Sequence, residues 1–265
     1  MRKSRNARIC CNAIKITQIR NATVIIEYGG KRFLVDPMLG AKGTFAPFPM
    51  TGNKLRNPLV ELPMPVAEIL QGIDAVIITH THLDHIDPTA LEIMDKRLPV
   101  FVQDNKDAGF MRKHCFTNVS ILGEDTRFGD VQMTKTPGKH GTFPMILLAG
   151  HTCGIIFRND KEQTLYLAGD TIWYHGVETT LDKYSPEVIL INAGGNKFKG
   201  FRPFIMHEKD VLEVHRHMPK SILVATHLEG VNHNTVTRKE LCKFAETNDF
   251  SDKLLIPDDG QTISL

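Results

Sequence analysis

The sequence predicts a single α/β domain, and three observations support that prediction. A chain of 265 residues is long enough to bury one large core. Short apolar runs separated by turn residues, at positions 15–19, 23–28 and 33–35, are typical of an antiparallel meander. From residue 66 onward, strand-like runs alternate with helical stretches, which indicates helices layered on a sheet.

The remaining elements follow from the same patterns, taken in chain order. Apolar runs predict further strands at residues 75–79, 100–103, 119–122, 131–136, 146–148, 154–158, 164–168, 188–192, 222–225 and 253–256. Amphipathic stretches predict helices at residues 88–96, 106–115, 208–217 and 237–247. Because the sequence contains no internal repeat or linker, we assign residues 14–265 to one domain.

The segment 38–65 is rich in proline, glycine and asparagine and shows little periodicity. Loops of this length in a compact domain are commonly functional. The segment is therefore either a flap over a functional site or a surface insertion.

The overall charge gives no indication of a nucleic-acid or membrane partner. The chain carries 32 basic and 30 acidic residues, a net charge of +2. None of its apolar stretches approaches the roughly 20 residues that span a bilayer. We expect a small-molecule substrate as partner, and the composition also allows a homo-oligomer.

The cysteine pattern and the N-terminus predict a cytoplasmic protein. An odd number of cysteines without CxxC spacing argues against a disulfide framework: Cys10, Cys11, Cys115, Cys153 and Cys242. Residues 1–13 lack the apolar core of a secretory signal, and we interpret them as a mobile extension. A basic arm that contacts a partner is the alternative.

A cluster of metal-ligating residue types directly follows the predicted strand 75–79. It consists of His80, His82, Asp84 and His85 in the run HTHLDH. Histidines two apart in an extended chain project to the same side, while the next two residues turn toward a second position. Imidazole and carboxylate ligands suit zinc, manganese or iron. The run therefore predicts a site where two cations share one loop and activate a water molecule.

Such a site needs ligands from elsewhere in the chain, and three predicted strands offer them at their ends. His140 follows strand 131–136, Asp170 follows strand 164–168, and His227 follows strand 222–225. An aspartate between two cations stays ionised and can bridge them. We predict that these three side chains complete the metal site.

The motifs HTHLDH, KHG, LAGDT and ATHLEG, in this order, resemble the metallo-β-lactamase superfamily. The resemblance implies an αββα sandwich of two mostly antiparallel sheets flanked by helices, with the metals at one edge. The run ATVIIEYGGKRFLVDPML and the segment INAGG are more narrowly similar to the branch that contains L-ascorbate-6-phosphate lactonase.

The resemblance also implies a division of the ligands between two divalent ions, with zinc or manganese preferred and iron as a further option. On that pattern His80, His82 and His140 hold the first ion. Asp84, His85 and His227 hold the second, and Asp170 bridges the two. Asp84 matches the position that also orients the attacking water.

The expected activity is hydrolysis of a small-molecule ester, with a lactone as first choice. Phosphodiester cleavage, a non-hydrolytic iron or redox reaction, and metal binding without catalysis are the alternatives. His233, in the run HLEGVNH, is a catalytic candidate that could protonate the leaving group or bind substrate. Alternatively, it is a loop histidine bonded to its neighbours. His151 is expected near the ligands or buried as a polar core residue.

Overall fold

Two seven-stranded sheets pack face to face in the computed structural model, which describes residues 13–265. The first sheet has the order β14-β1-β2-β3-β4-β5-β6. Its strands are β1 (Lys15–Arg20), β2 (Thr23–Tyr28), β3 (Lys31–Val35), β4 (Ala75–Ile78), β5 (Val100–Val102), β6 (Val119–Ile121) and β14 (Thr262–Ser264). The second has the order β13-β12-β11-β10-β9-β8-β7. Its strands are β7 (Thr126–Phe128), β8 (Val131–Pro137), β9 (Cys153–Asn159), β10 (Glu162–Leu167), β11 (Val188–Asn192), β12 (Ile222–Thr226) and β13 (Leu254–Leu255).

Helices cover the outer face of each sheet. Those on the first sheet are α1 (Val66–Leu70), α2 (Pro88–Ile93) and α3 (Asn105–Lys113). Those on the second are α5 (His175–Tyr184), α6 (Glu208–His217) and α7 (Arg238–Thr247). The short helix α4 (Met145–Ala149) lies in the connection between β8 and β9, and a 3₁₀ turn at Ser251–Lys253 precedes β13. In the described part of the chain, no helix combines the length and apolar character needed to cross a bilayer.

Strand β2 illustrates why the sheets are buried on both faces. Val24 and Ile26 belong to the core between the two sheets, whereas Ile25 belongs to the core under the helices of the first sheet. Alternate residues of a strand face opposite sides, and a strand covered on both sides is apolar at nearly every position. This layering confirms the predicted αββα sandwich.

The strand directions bring the predicted site residues to one edge. In the first sheet β3 and β4 are parallel, and in the second β10, β11 and β12 are parallel. Each sheet contains three antiparallel and three parallel pairings, so the sheets are mixed rather than mostly antiparallel. Because parallel strands end at the same edge, the loops that follow them can meet there.

The sequence prediction was wrong at residues 146–148, where the structure has helix α4 instead of a strand. A short apolar run does not distinguish a strand from a buried helix. The prediction also missed α1, α5, β7 and β14. Strand β14 pairs with β1 across almost the whole chain, and local patterns carry no signal of such a pairing. The predicted N-terminal extension, apart from Ala13, lies outside the described residues.

Arg20 anchors the segment 38–65, which contains an isolated bridge between Phe45 and Asn57 but no strand or helix. The Arg20 side chain is fully buried, and its guanidinium donates to the carbonyl oxygens of Val60, Met38 and Gly40 at 3.0, 2.6 and 2.8 Å. Burial lowers the pKa of Arg20 to about 10, although Asp87 acts in the opposite direction. The side chain therefore stays charged at neutral pH and holds both ends of the segment.

We expect Arg20→Met to lower the free energy of unfolding by about 1–3 kcal/mol, because three carbonyl groups lose their donor. Relief of the buried charge offsets part of the loss. Urea unfolding measures the change, and Arg97→Met, at an exposed arginine, is the control and should change stability by less than about 0.5 kcal/mol. Equal stability of Arg20→Met and wild type would show that Arg20 does not anchor the segment.

Candidate metal centre

His80, His82 and His140 converge at the edge where β4 and β8 end. The Nε2 atom of His80 lies 2.9 Å from Nδ1 of His82. One ring nitrogen from each of the three histidines lies within 4.8 Å of the others. The loop after β4 supplies the first two, and the loop after β8 supplies the third. This triad is the one predicted for the first ion.

A second triad lies beside the first and consists of Asp84, His85 and His227. The Nε2 atoms of His85 and His227 are 3.2 Å apart, and Nε2 of His227 is 3.4 Å from Oδ2 of Asp84. The HTHLDH loop therefore contributes to both triads, and the end of β12 contributes His227. The family resemblance implied this grouping for the second ion.

Asp170 lies between the two triads and faces both. Its Oδ2 atom is 3.6 Å from Nε2 of His140 and 3.2 Å from Nε2 of His85. Its Oδ1 atom is 3.8 Å from Nε2 of His227 and accepts a hydrogen bond from the Asn192 amide at 2.6 Å. A carboxylate so placed can reach two cations at once.

The spacing of these donor atoms fits a metal ion. Two nitrogen ligands about 2.0–2.1 Å from a tetrahedral zinc are about 3.3 Å apart. The observed separations of 2.9 Å for His80 with His82, and of 3.2 Å for His85 with His227, are close to that value. Within each pair two ring nitrogens lie within hydrogen-bond distance of each other, an arrangement that a shared cation stabilises.

Burial keeps the first triad in the neutral form that metal ligation requires. It lowers the pKa of His80 well below its usual value, with help from His85 and His82. It also lowers the pKa of His82 to about 4 and the pKa of His140. Three neutral imidazoles are therefore available at neutral pH.

In the second triad and at Asp170, the pKa values depend on neighbouring charges as well as on burial, because the carboxylates face histidines. Burial alone would raise the pKa of Asp84 and Asp170, but nearby histidines, His85 among them, hold both pKa values well below the usual range. Burial alone would lower the pKa of His85, but Asp170 and Asp36 raise it well above its usual value. The site therefore concentrates negative charge that suits divalent cations.

Outer hydrogen bonds fix which nitrogen of each histidine faces the site. Asp36, directly after β3, accepts from Nδ1 of His85 at 2.8 Å and from the Thr79 hydroxyl at 2.7 Å. Nδ1 of His80 lies 3.2 Å from that hydroxyl oxygen, and Nδ1 of His140 donates to the Phe204 carbonyl at 2.9 Å. In each case Nε2 is left for a metal. Asp36 belongs to none of the predicted ligand motifs, and its place directly after a buried strand was the sequence signal for it.

An apolar cavity of about 180 Å³ opens onto the ligands. Its wall combines ligand side chains with Phe48, Met145, Leu148, Phe198 and Phe204. Phe48 comes from the segment 38–65, and Asn232 accepts from the Phe48 backbone amide at 2.9 Å. The segment therefore contributes to the cavity, which favours a flap over a surface insertion.

His233 lines this cavity, is buried, and lies 4.0 Å from Asp84 Oδ2 through its Nε2 atom. Burial lowers the pKa of His233 to about 4.

His151 is exposed instead of buried and borders a separate polar cavity that also reaches His80 and His82. Cys153 is buried in the core between the sheets, as expected for a small apolar side chain.

Fold and site together define a member of the metallo-β-lactamase superfamily. A family model described as a beta-lactamase superfamily domain matches residues 31–228. Within the superfamily the chain belongs to the UPF0173 family of metal-dependent hydrolases. It is 43% identical over 251 residues to the UPF0173 protein YddR of Bacillus subtilis (strain 168), which covers 94% of this chain and 99% of that protein.

Two solved structures are similar over nearly the whole chain. The isothiocyanate hydrolase from Delia radicum gut bacteria has a TM-score of 0.91 at 39% identity, covering 95% of this chain and 100% of that one. A "possible metal-dependent hydrolase" from Veillonella parvula DSM 2008 has a TM-score of 0.93 at 38% identity, covering 96% and 100%. The narrower likeness to L-ascorbate-6-phosphate lactonase stays a prediction.

Proposed function

We propose that this protein is a dinuclear metal hydrolase for a small, neutral, apolar electrophile, and that an isothiocyanate is the best candidate. The observation that carries the proposal is the cavity above the two triads. Apart from the candidate ligands and His233, its walls are aromatic and aliphatic, and none of the described residues that line it is a lysine or arginine.

The charge and size of the cavity select among the candidate substrates. A phosphodiester or sugar phosphate is commonly held by arginine or lysine, which the described cavity wall does not provide. At about 180 Å³ the cavity is smaller than the roughly 300–1,000 Å³ of drug-sized ligand sites. A compact neutral molecule with an apolar substituent suits both properties, and the 39% identical isothiocyanate hydrolase supports this substrate class.

A small lactone is the second candidate, because its carbonyl carbon is also neutral and electrophilic. The same apolar wall would accommodate its ring. The isothiocyanate is preferred because a relative similar over the whole chain bears that activity in its name.

The chemistry requires attack by water on the central carbon of the N=C=S group. Two divalent cations, when bound, would lower the pKa of a water molecule and polarise the electrophile. The ionised Asp84 carboxylate would orient the attacking water as a hydrogen-bond acceptor. The water oxygen becomes bonded to the central carbon, and the C=N double bond to that carbon breaks while the bond from nitrogen to its substituent stays. Both water hydrogens end on nitrogen. One isothiocyanate and one water give one amine and one carbonyl sulfide.

A substrate panel tests the proposal. Protein loaded with zinc or manganese is assayed with an arylalkyl isothiocyanate, a γ-lactone and a bis-aryl phosphodiester, and Asp84→Asn is the matched inactive variant. We expect amine and carbonyl sulfide in equal amounts from the isothiocyanate, at a rate far above that of Asp84→Asn. Preference for the phosphodiester, or isothiocyanate decay no faster than in buffer, would contradict the proposal.

A further inference from the structure

Asn21 connects two candidate ligands that come from different parts of the fold. It lies in the turn between β1 and β2 and is fully buried. Its side-chain Nδ2 atom donates to the backbone carbonyl of Asp84 at 3.1 Å, and its own backbone carbonyl accepts from the N–H of His227 at 2.9 Å. Asp84 and His227 both belong to the second triad. One residue outside the ligand set therefore contacts the main chain of two candidate ligands.

His227 has a backbone conformation that needs such support. Its φ angle is +61°, in the left-handed region that residues other than glycine seldom occupy. A residue held there costs free energy and persists only where its surroundings fix it. Asn21 holds the N–H of His227, and Nδ2 of Asn234 donates to the His227 carbonyl at 3.0 Å. Both sides of the strained residue are thus fixed, with its ring directed at Asp84 and His85.

The side chain of Asn21 is explained by position rather than by stability. Its φ angle is +53°, and asparagine tolerates the left-handed region better than most residues. Its Oδ1 atom, however, is buried and has no hydrogen-bond partner within residues 13–265. A buried polar atom without a partner is unfavourable. Stability alone would therefore favour glycine here, and what the amide adds is the hydrogen bond to Asp84.

Gly230 shows how closely the loop of His227 packs on Asn21. A Cβ atom added at Gly230 would lie 2.6 Å from Cβ and 2.8 Å from Oδ1 of Asn21, closer than nonbonded atoms approach. His227 and Gly230 are only three residues apart. The loop therefore contacts Asn21 through a hydrogen bond at one end and through close packing at the other.

We propose that Asn21 is a positioning residue that holds Asp84 and His227 at the spacing that the second ion requires. The inference rests on the proposed dinuclear function. The turn between β1 and β2 then joins the HTHLDH loop of the first sheet to the loop after β12 in the second sheet. The histidines of the first triad make no hydrogen bond to Asn21 within the described residues, so the first ion should depend on it little.

Asn21→Gly in the full-length protein tests the proposal. Glycine keeps the left-handed backbone and the carbonyl that accepts from His227, but it removes the donor to Asp84. Chelator-treated protein is titrated with zinc and followed by isothermal calorimetry. We expect the affinity for one of the two ions to fall about 10-fold, the lower end of the range for residues that orient metal ligands, and the other to stay unchanged. Asp249→Gly is the control, because Asp249 is exposed and has a similar φ angle of +58°.

Nitrogen-15 NMR of the histidine rings identifies which ion is weakened. At one zinc per chain, the rings of His80 and His140 in Asn21→Gly should show the metal-bound resonances. The rings of His85 and His227 should show the metal-free resonances, because they belong to the triad that Asn21 positions.

Gly230→Ala supplies a second variant, which keeps the test decisive even if Asn21→Gly does not fold. It leaves every hydrogen-bonding group in place but forces the loop of His227 away from Asn21, so it should also weaken the second ion. When both substitutions are combined, the contacts with Cβ and Oδ1 of Asn21 disappear, and the two effects should be clearly less than additive. Gly109→Ala is the control, because an added Cβ there meets nothing within 4 Å.

The outcomes separate this inference from the proposed function. Unchanged affinity for both ions in Asn21→Gly, or equal weakening of both, would overturn the inference. Additive effects of Asn21→Gly and Gly230→Ala would also overturn it. Selective loss of the second ion from a variant of a protein that hydrolyses only lactones would contradict the isothiocyanate proposal and support the positioning role of Asn21.

Discussion

Asp170→Asn is expected to lower kcat/KM and the affinity for metal by more than about 100-fold. Residues that only orient metal ligands already contribute about 10–100-fold, and Asp170 faces both triads directly. An asparagine has one neutral oxygen. Its NH₂ group would face either the Asn192 donor or the ring nitrogens of His85 and His140, so no orientation of the amide satisfies the site.

Metal content after dialysis and steady-state kinetics measure the effect of Asp170→Asn. Asp182→Asn is the matched control, because Asp182 is largely exposed and pairs only with His217 in the described structure. The control should retain both metal and activity. An Asp170→Asn protein with full metal content and unchanged kcat/KM would show that Asp170 does not bridge the ions.

Asp36→Asn is expected to weaken metal binding by about 10–100-fold, although Asp36 lies in neither triad. Its carboxylate accepts three hydrogen bonds, from the Thr79 backbone N–H at 2.8 Å, from the Thr79 hydroxyl and from His85 Nδ1. An amide offers only one oxygen, so its NH₂ group must face at least one of these donors. His85 then loses the bond that directs its Nε2 atom toward the site.

The Asp36 effect should appear as activity that falls at low metal concentration and recovers in part with excess metal. Titration of chelator-treated protein with zinc, followed by isothermal calorimetry, measures it. Asp74→Asn is the control, since Asp74 likewise accepts from a backbone N–H, that of Arg32, but its side chain is partly exposed and pairs with Lys31 rather than with a candidate ligand. Unchanged affinity in Asp36→Asn would contradict an orienting role.

The candidate ligands could be predicted from the sequence because each group of them follows an apolar run that folds as a strand. The HTHLDH loop after β4 places four candidate ligands in six residues, and His140, Asp170 and His227 each follow an apolar strand. Parallel strands bring such positions to one edge, so local patterns predicted that they meet there, whereas their division between two ions followed from the family resemblance.

The residues around the ligands could not be predicted in the same way. Asp36 and Asn192 hydrogen-bond to candidate ligands that are distant from them in sequence. Aspartate and asparagine at the end of a strand are equally typical of turns, so residue type alone does not identify an orienting role.

The residues of the cavity wall could not be predicted from the sequence either. Phe48 and Phe204 come from segments more than 150 residues apart, and only the folded chain places both against His233. Residues 146–148 were wrongly predicted as a strand, whereas Met145 and Leu148 lie on helix α4 and line the cavity. The uncharged, apolar wall that supports the proposed substrate class is therefore visible only in the structure.

The metal content of the active enzyme tests the proposed dinuclear centre most directly. Full-length protein is stripped with chelator, reloaded with zinc or manganese, desalted and analysed by inductively coupled plasma mass spectrometry alongside its turnover rate. We predict that activity reaches its maximum at two divalent ions per chain. Full activity with one ion per chain, or with none, would contradict the dinuclear hydrolase.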